Sequence, residues 1–166
     1  MIIDILDLNR KRVSMKKVHL VYNEESFYDE GEAIEFIEPV TVDGELTLTG
    51  DIINLDARVT TNLSLPCSRC LTTYSHPIDI HIHEKFSGSS LNEDDEVIFI
   101  DGDTIDIADV IKNNIITSLP IKKLCKEDCK GLCQNCGKNL NISSCDCIEE
   151  DIDPRLAELK KLFSAD

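Results

Sequence analysis

The chain has 166 residues, 42% of them hydrophobic and 30% charged, which supports one globular core with a small appendage and excludes a disordered chain or two full domains. No window approaches the roughly 20 continuous apolar residues of a membrane span, and Asp4 falls where a secretion signal would carry its apolar run, so a cytoplasmic protein is expected. A formal charge of −15 excludes indiscriminate coating of RNA or DNA and favours basic partners at long range, although it also serves solubility.

Residues 2–8 alternate weakly and fit either a first strand or a short helix. Five bases and no acid follow between Arg10 and Lys17. Residues 18–22 read as a strand, 23–32 as a polar connection, and 33–40 as a second apolar run bent at Glu38-Pro39, because proline cannot donate to a ladder. Val42-Asp43-Gly44-Glu45 predicts a hairpin turn, since Asp-Gly suits positive φ angles. Residues 46–49 then form a strand, and Gly50-Asp51 turns the chain again. Residues 55–66 are the clearest strand, with Ala57, Val59, Thr61, Leu63 and Leu65 on one face.

That strand leads to Cys67-Ser-Arg-Cys70, and Ile78, Ile80 and Ile82 alternate with Asp79, His81 and His83 on the way back. The two strands predict a hairpin with two thiols at its tip. Residues 87–96 read as a flexible acidic loop holding Glu93, Asp94, Asp95 and Glu96. Residues 97–100 form a short strand, turned by Asp101-Gly102. Asp103 or Thr104 is expected to cap a helix with Ile107, Val110, Ile111 and Ile115 on one face, ending before Pro120. A last helix begins at Asp153-Pro154 and carries Leu156, Leu159, Leu162 and Phe163 as one stripe, suited to packing on the sheet, the cysteine-rich segment or a partner. The fold class is therefore α+β: an antiparallel β-sheet core with a few helices over residues 1–120, then a C-terminal cysteine-rich zinc module and helix over 121–166 that packs on the core.

Six of the eight cysteines lie within the 23 residues from Cys125 to Cys147, and the other two are Cys67 and Cys70. Four close pairs are what two tetrahedral four-thiolate zinc sites require. In Cys133-Gln-Asn-Cys136-Gly137 the spacing turns both sulfurs and the backbone N–H groups toward one ion, and the glycine accepts the conformation that follows. The nearest downstream pair, Cys145 and Cys147, completes one site. Cys67, Cys70, Cys125 and Cys129 remain for the other, which would staple the hairpin tip to the segment after the helix. The tight Cys145–Cys147 spacing leaves a shuffled set open, such as Cys129, Cys133, Cys136 and Cys147. Eight thiolates on two zinc ions would make the chain more negative by about four charges.

Competing readings are weaker on chemistry. Disulfides do not suit a reducing compartment, and the spacings do not follow ferredoxin runs. A redox dithiol at Cys67 and Cys70 would need a helix N-terminus to lower a thiol pKa, whereas the motif sits between strands. His81 and His83 read as residues of a solvated strand face, and His76 precedes Pro77 in the same hairpin. Four-thiolate zinc offers no open position for water, and no nucleophile with a base, phosphate-binding glycine loop or converging carboxylates can be read, so no small-molecule substrate is expected. Lys122, Lys123, Lys126, Lys130 and Lys138 around the cysteines leave a local rRNA contact open, or serve only to offset thiolate charge.

Pro66-Cys67-Ser-Arg-Cys70-Leu71, then Leu119-Pro120, then Cys125-x-x-x-Cys129-Lys-Gly-Leu-Cys133-x-x-Cys136-Gly137-x-Asn139-Leu140-Asn141, and finally Asp153-Pro154-Arg155 recur in order along nearly the whole chain. In these motifs the chain resembles the bacterial YceD-like family. That resemblance implies a non-enzymatic factor needed for accumulation of 23S rRNA, hence for ribosome assembly, whose gene commonly neighbours that of a zinc-bearing large-subunit ribosomal protein. It implies no catalytic residue. The expected partner is a ribosomal protein or pre-50S particle held by the acidic loop and the zinc module. Direct rRNA binding through Arg10 to Lys17 and Lys122 to Lys138, and a thiol redox protein at Cys67 and Cys70, are the rivals.

Overall fold

The structure is a computed structural model, and it describes residues 1–29, 31–88 and 97–147. The acidic loop at 93–96 and the C-terminal helix expected from Asp153 lie outside these residues. Elements in chain order are β1 (Ile2–Asp4), α1 (Leu6–Asn9), β2 (Met15–Tyr22), β3 (Phe27–Asp29), β4 (Glu32–Phe36) and β5 (Val40–Thr49), followed by β6 (Ile52–Pro66), β7 (Thr73–Ser87), β8 (Val97–Phe99), β9 (Thr104–Asp106) and α2 (Ala108–Ser118). Among the described residues no helix is long and apolar enough to cross a membrane.

Strand β6 organises the sheet. It pairs antiparallel with β5 over residues 52–60, with β4 at Leu63 and Ser64, and with β7 over residues 53–66. β2 extends the sheet beyond β5, β3 extends it beyond β4, and β8 runs parallel to the end of β7. The alternation that marks β6 in the sequence is its burial pattern: Leu55, Ala57, Val59, Leu63 and Leu65 are buried on one face. Thr61 shares that face, and its hydroxyl is satisfied by donating to the Glu38 carbonyl at 2.9 Å. Ile107, Ile111 and Ile115 of the α2 segment close over the same core, as do Ile3, Ile5 and Leu8. Burial of these aliphatic side chains, each worth about 1.5–3 kcal/mol, replaces the aromatic core that a chain without Trp lacks.

Several expectations change. Residues 2–8 form both a strand and a helix, since Asp4 accepts the Leu6 N–H at 2.8 Å and starts the turn. Residues 23–32 are more than a polar connection, because Phe27 is buried and β3 pairs with β4. The Asp43-Gly44 turn does not exist. These residues lie within β5, with Gly44 opposite Val18 on one side and Ala57 on the other. Gly44 is present for close approach: a Cβ there would lie 2.1 Å from the Asp56 carbonyl oxygen and 2.5 Å from the Ala57 Cα. The turn expected at Gly50-Asp51 does form, and Gly50 takes φ +67° there. Asp103 and Thr104 do not cap α2, because residues 104–106 are consumed by pairing with β1. Asp106 accepts the Ala108 N–H at 3.1 Å in their place.

Candidate metal centre

β6 and β7 are each 15 residues long and stay in register from Ile53↔Phe86 to Pro66↔Thr73, so Cys67 to Thr72 form the tip of a long, stiff hairpin. The tip is closed by the Cys67 N–H donating to the Thr72 carbonyl at 3.0 Å and the Leu71 N–H to the Cys67 carbonyl at 2.9 Å. Main-chain bonds dock the later cysteine segment on it. The Ser68 N–H donates to the Lys123 carbonyl at 2.8 Å, and the Leu132 N–H to the Arg69 carbonyl at 3.2 Å. The Arg69 guanidinium returns a bond to the Cys129 carbonyl at 2.9 Å. Gly131, at φ +76°, permits this contact, since a Cβ would lie 3.1 Å from the Arg69 oxygen.

The cysteines gather into two quartets, Cys67, Cys70, Cys125 and Cys129, and Cys133, Cys136, Cys145 and Cys147. Within each, the four Sγ atoms lie within 4.8 Å of one another, and among the described residues no other group of three or more ligand side chains converges in this way. A tetrahedral ion with metal–sulfur bonds of about 2.3 Å needs sulfur–sulfur edges of about 3.8 Å. The first quartet has Cys67 Sγ 3.8 Å from Cys129 Sγ and Cys70 Sγ 3.7 Å from Cys125 Sγ. Its dimensions thus suit such an ion, and so does its donor set, which could hold a metal. The shuffled alternative, with Cys129 beside Cys133 and Cys136, is not the arrangement the structure brings together.

The surroundings prepare the sulfurs for a cation. Burial pushes the Cys67 thiol up, but main-chain N–H groups of Cys125, Cys70 and Arg69 aim at its sulfur and together bring it down to about 6. Cys125 is pushed up to about 12 by burial and by the thiols of Cys70, Cys129 and Cys67. The second quartet repeats the contrast. N–H groups of Cys136 and Asn135 lower Cys133 to about 6, while the Cys136 sulfur and burial raise Cys147 to about 12. Within each quartet the thiols titrate as a group, and a divalent ion bound by them displaces protons. The quartets differ in exposure: Cys67, Cys70 and Cys129 are buried, whereas Cys136 is exposed.

Two residues that were only part of a motif in the sequence turn out to organise the site. Asn141 donates from Nδ2 to the Cys129 sulfur at 3.3 Å, accepts the Lys130 N–H at 2.9 Å and donates its own N–H to Asn139 Oδ1 at 2.9 Å. Asn139 in turn reaches Thr72 Oγ1 at the hairpin tip, 3.2 Å away. Asn141 sits between Cys136 and Cys145 in sequence and so ties the loop of the second quartet to a sulfur of the first. The readable signal was the Asn-x-Asn spacing after the Cys-x-x-Cys turn, where short amide side chains bond neighbouring backbone. Lys123 was also missed as a structural residue: it is 7% exposed and its ammonium lies 3.0 Å from Glu32 on β4, so it does not belong to an exposed basic patch. His81 and His83 lie on the polar sheet face as expected, with His83 Nδ1 2.8 Å from Asp56.

The family model of the large ribosomal RNA subunit accumulation protein YceD matches residues 55–163. Protein YlbN of Bacillus subtilis (strain 168) is 33% identical over 136 residues, covering 80% of this chain and 79% of the relative. Rv2926c of Mycobacterium tuberculosis (strain ATCC 25618 / H37Rv) is 30% identical over 132 residues, covering 69% and 63% respectively. The chloroplastic large ribosomal RNA subunit accumulation protein YCED homolog 1 of Zea mays is 29% identical over 162 residues, covering 75% of this chain and 54% of the plant protein. No solved structure matches the chain. With two thirds of its length matched by that family model, hairpin tip and both cysteine quartets included, the chain belongs to the YceD family.

Proposed function

We propose that this chain is a non-enzymatic assembly factor of the large ribosomal subunit, supporting 23S rRNA accumulation by binding a ribosomal protein or pre-50S particle in the cytoplasm through a scaffold held by structural zinc. The gathering of eight cysteines into two four-sulfur groups carries this reading. Zinc bound by all four sulfurs of a quartet neutralises and crosslinks them while leaving no position for an activated water or substrate. Cys67, Cys70, Cys125 and Cys129 would hold one ion, and Cys133, Cys136, Cys145 and Cys147 the other. Residues 121–166 then act as a module set on the core of residues 1–120 by the hairpin tip. The names of the family and of the plant relative supply the link to large-subunit rRNA.

The test pairs metal content with an rRNA readout. The purified chain should carry two zinc ions, and cells lacking it should show a lowered ratio of 23S to 16S rRNA that the wild-type chain restores and a Cys70→Ser, Cys133→Ser double variant does not. An unchanged ratio would remove the assembly role, and a chain that folds without metal would remove the scaffold.

A second reading, direct rRNA contact, draws on Lys122, Lys130 and Lys138, which have no carboxylate partner among the described residues, although Lys126 pairs with Asp128 and Lys123 with Glu32. It predicts a steep fall of RNA affinity with salt, lessened when those three lysines are neutralised. A thiol redox role instead predicts ready alkylation of Cys67 and Cys70 in the loaded protein, which their burial opposes.

A further inference from the structure

The two quartets are joined by more than the chain that runs between them. Residues 131–133 lie against 138–140 as a short two-armed clip. The Leu140 N–H donates to the Gly131 carbonyl at 2.9 Å, the Cys133 N–H donates to the Lys138 carbonyl at 2.8 Å, and Leu132 faces Asn139. One arm of the clip runs from Cys129, in the first quartet, to Cys133, in the second. The other arm leads from Cys136 to Cys145, both in the second quartet, and yet it carries a side chain that reaches a sulfur of the first.

That side chain is Asn141, and all of its polar groups are engaged. Its Oδ1 accepts the Lys130 N–H at 2.9 Å, while its Nδ2 donates to Asn139 Oδ1 at 2.9 Å and to Cys129 Sγ at 3.3 Å. Turning the amide over would set its oxygen against the sulfur and Asn139 Oδ1, and its N–H groups against the Lys130 N–H, so the donor must face the sulfur. Cys129 is buried, away from competing water. A hydrogen bond to a metal-bound thiolate is charge-assisted and stronger than one to a neutral thiol. Filling the first quartet therefore tightens the hold of Cys129 on Asn141, and with it the arm between Cys136 and Cys145. Filling the second quartet fixes that arm at both ends and so keeps the donor on Cys129, with less ordering left to pay when the first quartet closes.

We infer that the two quartets bind metal cooperatively, each raising the affinity of the other through the bond from Asn141 to Cys129. The linkage is reciprocal, as coupling between two binding sites must be. The inference rests on the quartets being metal sites and adds a regulatory consequence to that reading. A chain short of one ion also holds the other less tightly, so the surface built on the cysteine-rich segment forms over a narrower range of metal supply than two independent sites would give.

Competition between a chromophoric chelator and the full chain, with zinc as the probe, tests the coupling. The affinity of the first quartet should be about tenfold lower in a Cys145→Ser, Cys147→Ser double variant than in wild type. Asn141→Asp still accepts the Lys130 N–H but offers no donor to Cys129, and in its background the same comparison should give less than about twofold. With cadmium in place of zinc, Asn141→Asp should also shift the NMR resonance of the first-quartet ion, identified as the one that survives in the double serine variant. A measurement that needs no serine variant is native mass spectrometry at one equivalent of zinc, where the singly loaded chain should be scarcer for wild type than for Asn141→Asp. The inference is overturned if the first quartet binds equally well with and without the second, or if the singly loaded fraction is the same in wild type and Asn141→Asp. Coupling that persists undiminished in Asn141→Asp overturns it too, since chain ordering alone would then account for it. A wild-type chain that takes up fewer than two ions is a different result: it removes the two-site reading itself, and the inference falls with it.

Discussion

Substituting Cys70 by serine isolates the contribution of the first quartet as a crosslink. Cys70 and Cys125 are 55 residues apart in sequence, with their sulfurs 3.7 Å apart. An ion held by both segments stabilises the folded chain by joining them, and treated as a crosslink the chain-entropy relation for a loop of this length yields about 4 kcal/mol of stabilisation. The second quartet closes only the short loop from Cys133 to Cys147, for which the same relation yields about 3 kcal/mol. The difference lies in what each loop contains. The first spans β7, β8, β9 and α2, which supply Ile82, Phe86, Ile107 and Ile111 to the core, whereas the second contains none of the core residues. Cys70→Ser should therefore lower the global melting temperature by roughly 10 °C. Cys145→Ser should shift it by less than half as much while making the segment from Cys133 to Cys147 sensitive to protease. Circular dichroism melts of metal-loaded protein, with limited proteolysis read by mass spectrometry, measure both. Equal melting shifts for the two variants, or none for Cys70→Ser, would refute the staple.

Gly44→Val should destabilise by about 1–3 kcal/mol in denaturant titration, because the added atoms meet the Asp56 and Ala57 backbone, which cannot rotate away. Asn141→Ala should speed metal loss to a chelator from both quartets, since one side chain donates to the Cys129 sulfur and also holds the loop leading to Cys145; release followed with a colorimetric chelator gives the two rates. Asp79, gripped by Arg58 through bonds of 2.7 and 2.6 Å, is held below its usual 3.8, so its contribution is full above that value and vanishes as pH falls through the lowered one. The stability gap between wild type and Asp79→Asn should accordingly be constant at neutral pH and close on acidification below 3.8, by urea titration at a series of pH values.

What could be read from the sequence was whatever local chemistry alone dictates. The alternation of residues 55–66 is legible because one buried face imposes period two, and the cysteine grouping because four donors must meet and neighbouring pairs meet most easily. Asp43-Gly44 misled because glycine has two uses, positive φ and the absence of a Cβ, and only the partner strand reveals which applies. The cap at Asp103 or Thr104 failed for a related reason: β1, a hundred residues earlier, takes residues 104–106 into a ladder and moves the helix start to Ala108. Lys123 read as surface charge, since nothing nearby in sequence announces Glu32.

The hairpin carries these local facts into a single mechanical unit. β6 and β7 have core on one face along most of their length, so the tip cannot move without disturbing Leu63, Leu65 and Ile78. Two sulfurs are thereby presented on a rigid arm, and the segment from Lys123 to Asn141 is laid against that arm by the Ser68, Arg69 and Asn139 bonds and by the thiol contacts. A local knuckle alone could order the chain from Cys133 to Cys147, but it could not orient that segment relative to the sheet. The first quartet does this, and it is why the buried sulfurs belong to the pair of segments farthest apart in sequence. Should the chain bind a pre-50S particle as proposed, fixing that orientation before contact lowers the entropy lost on binding.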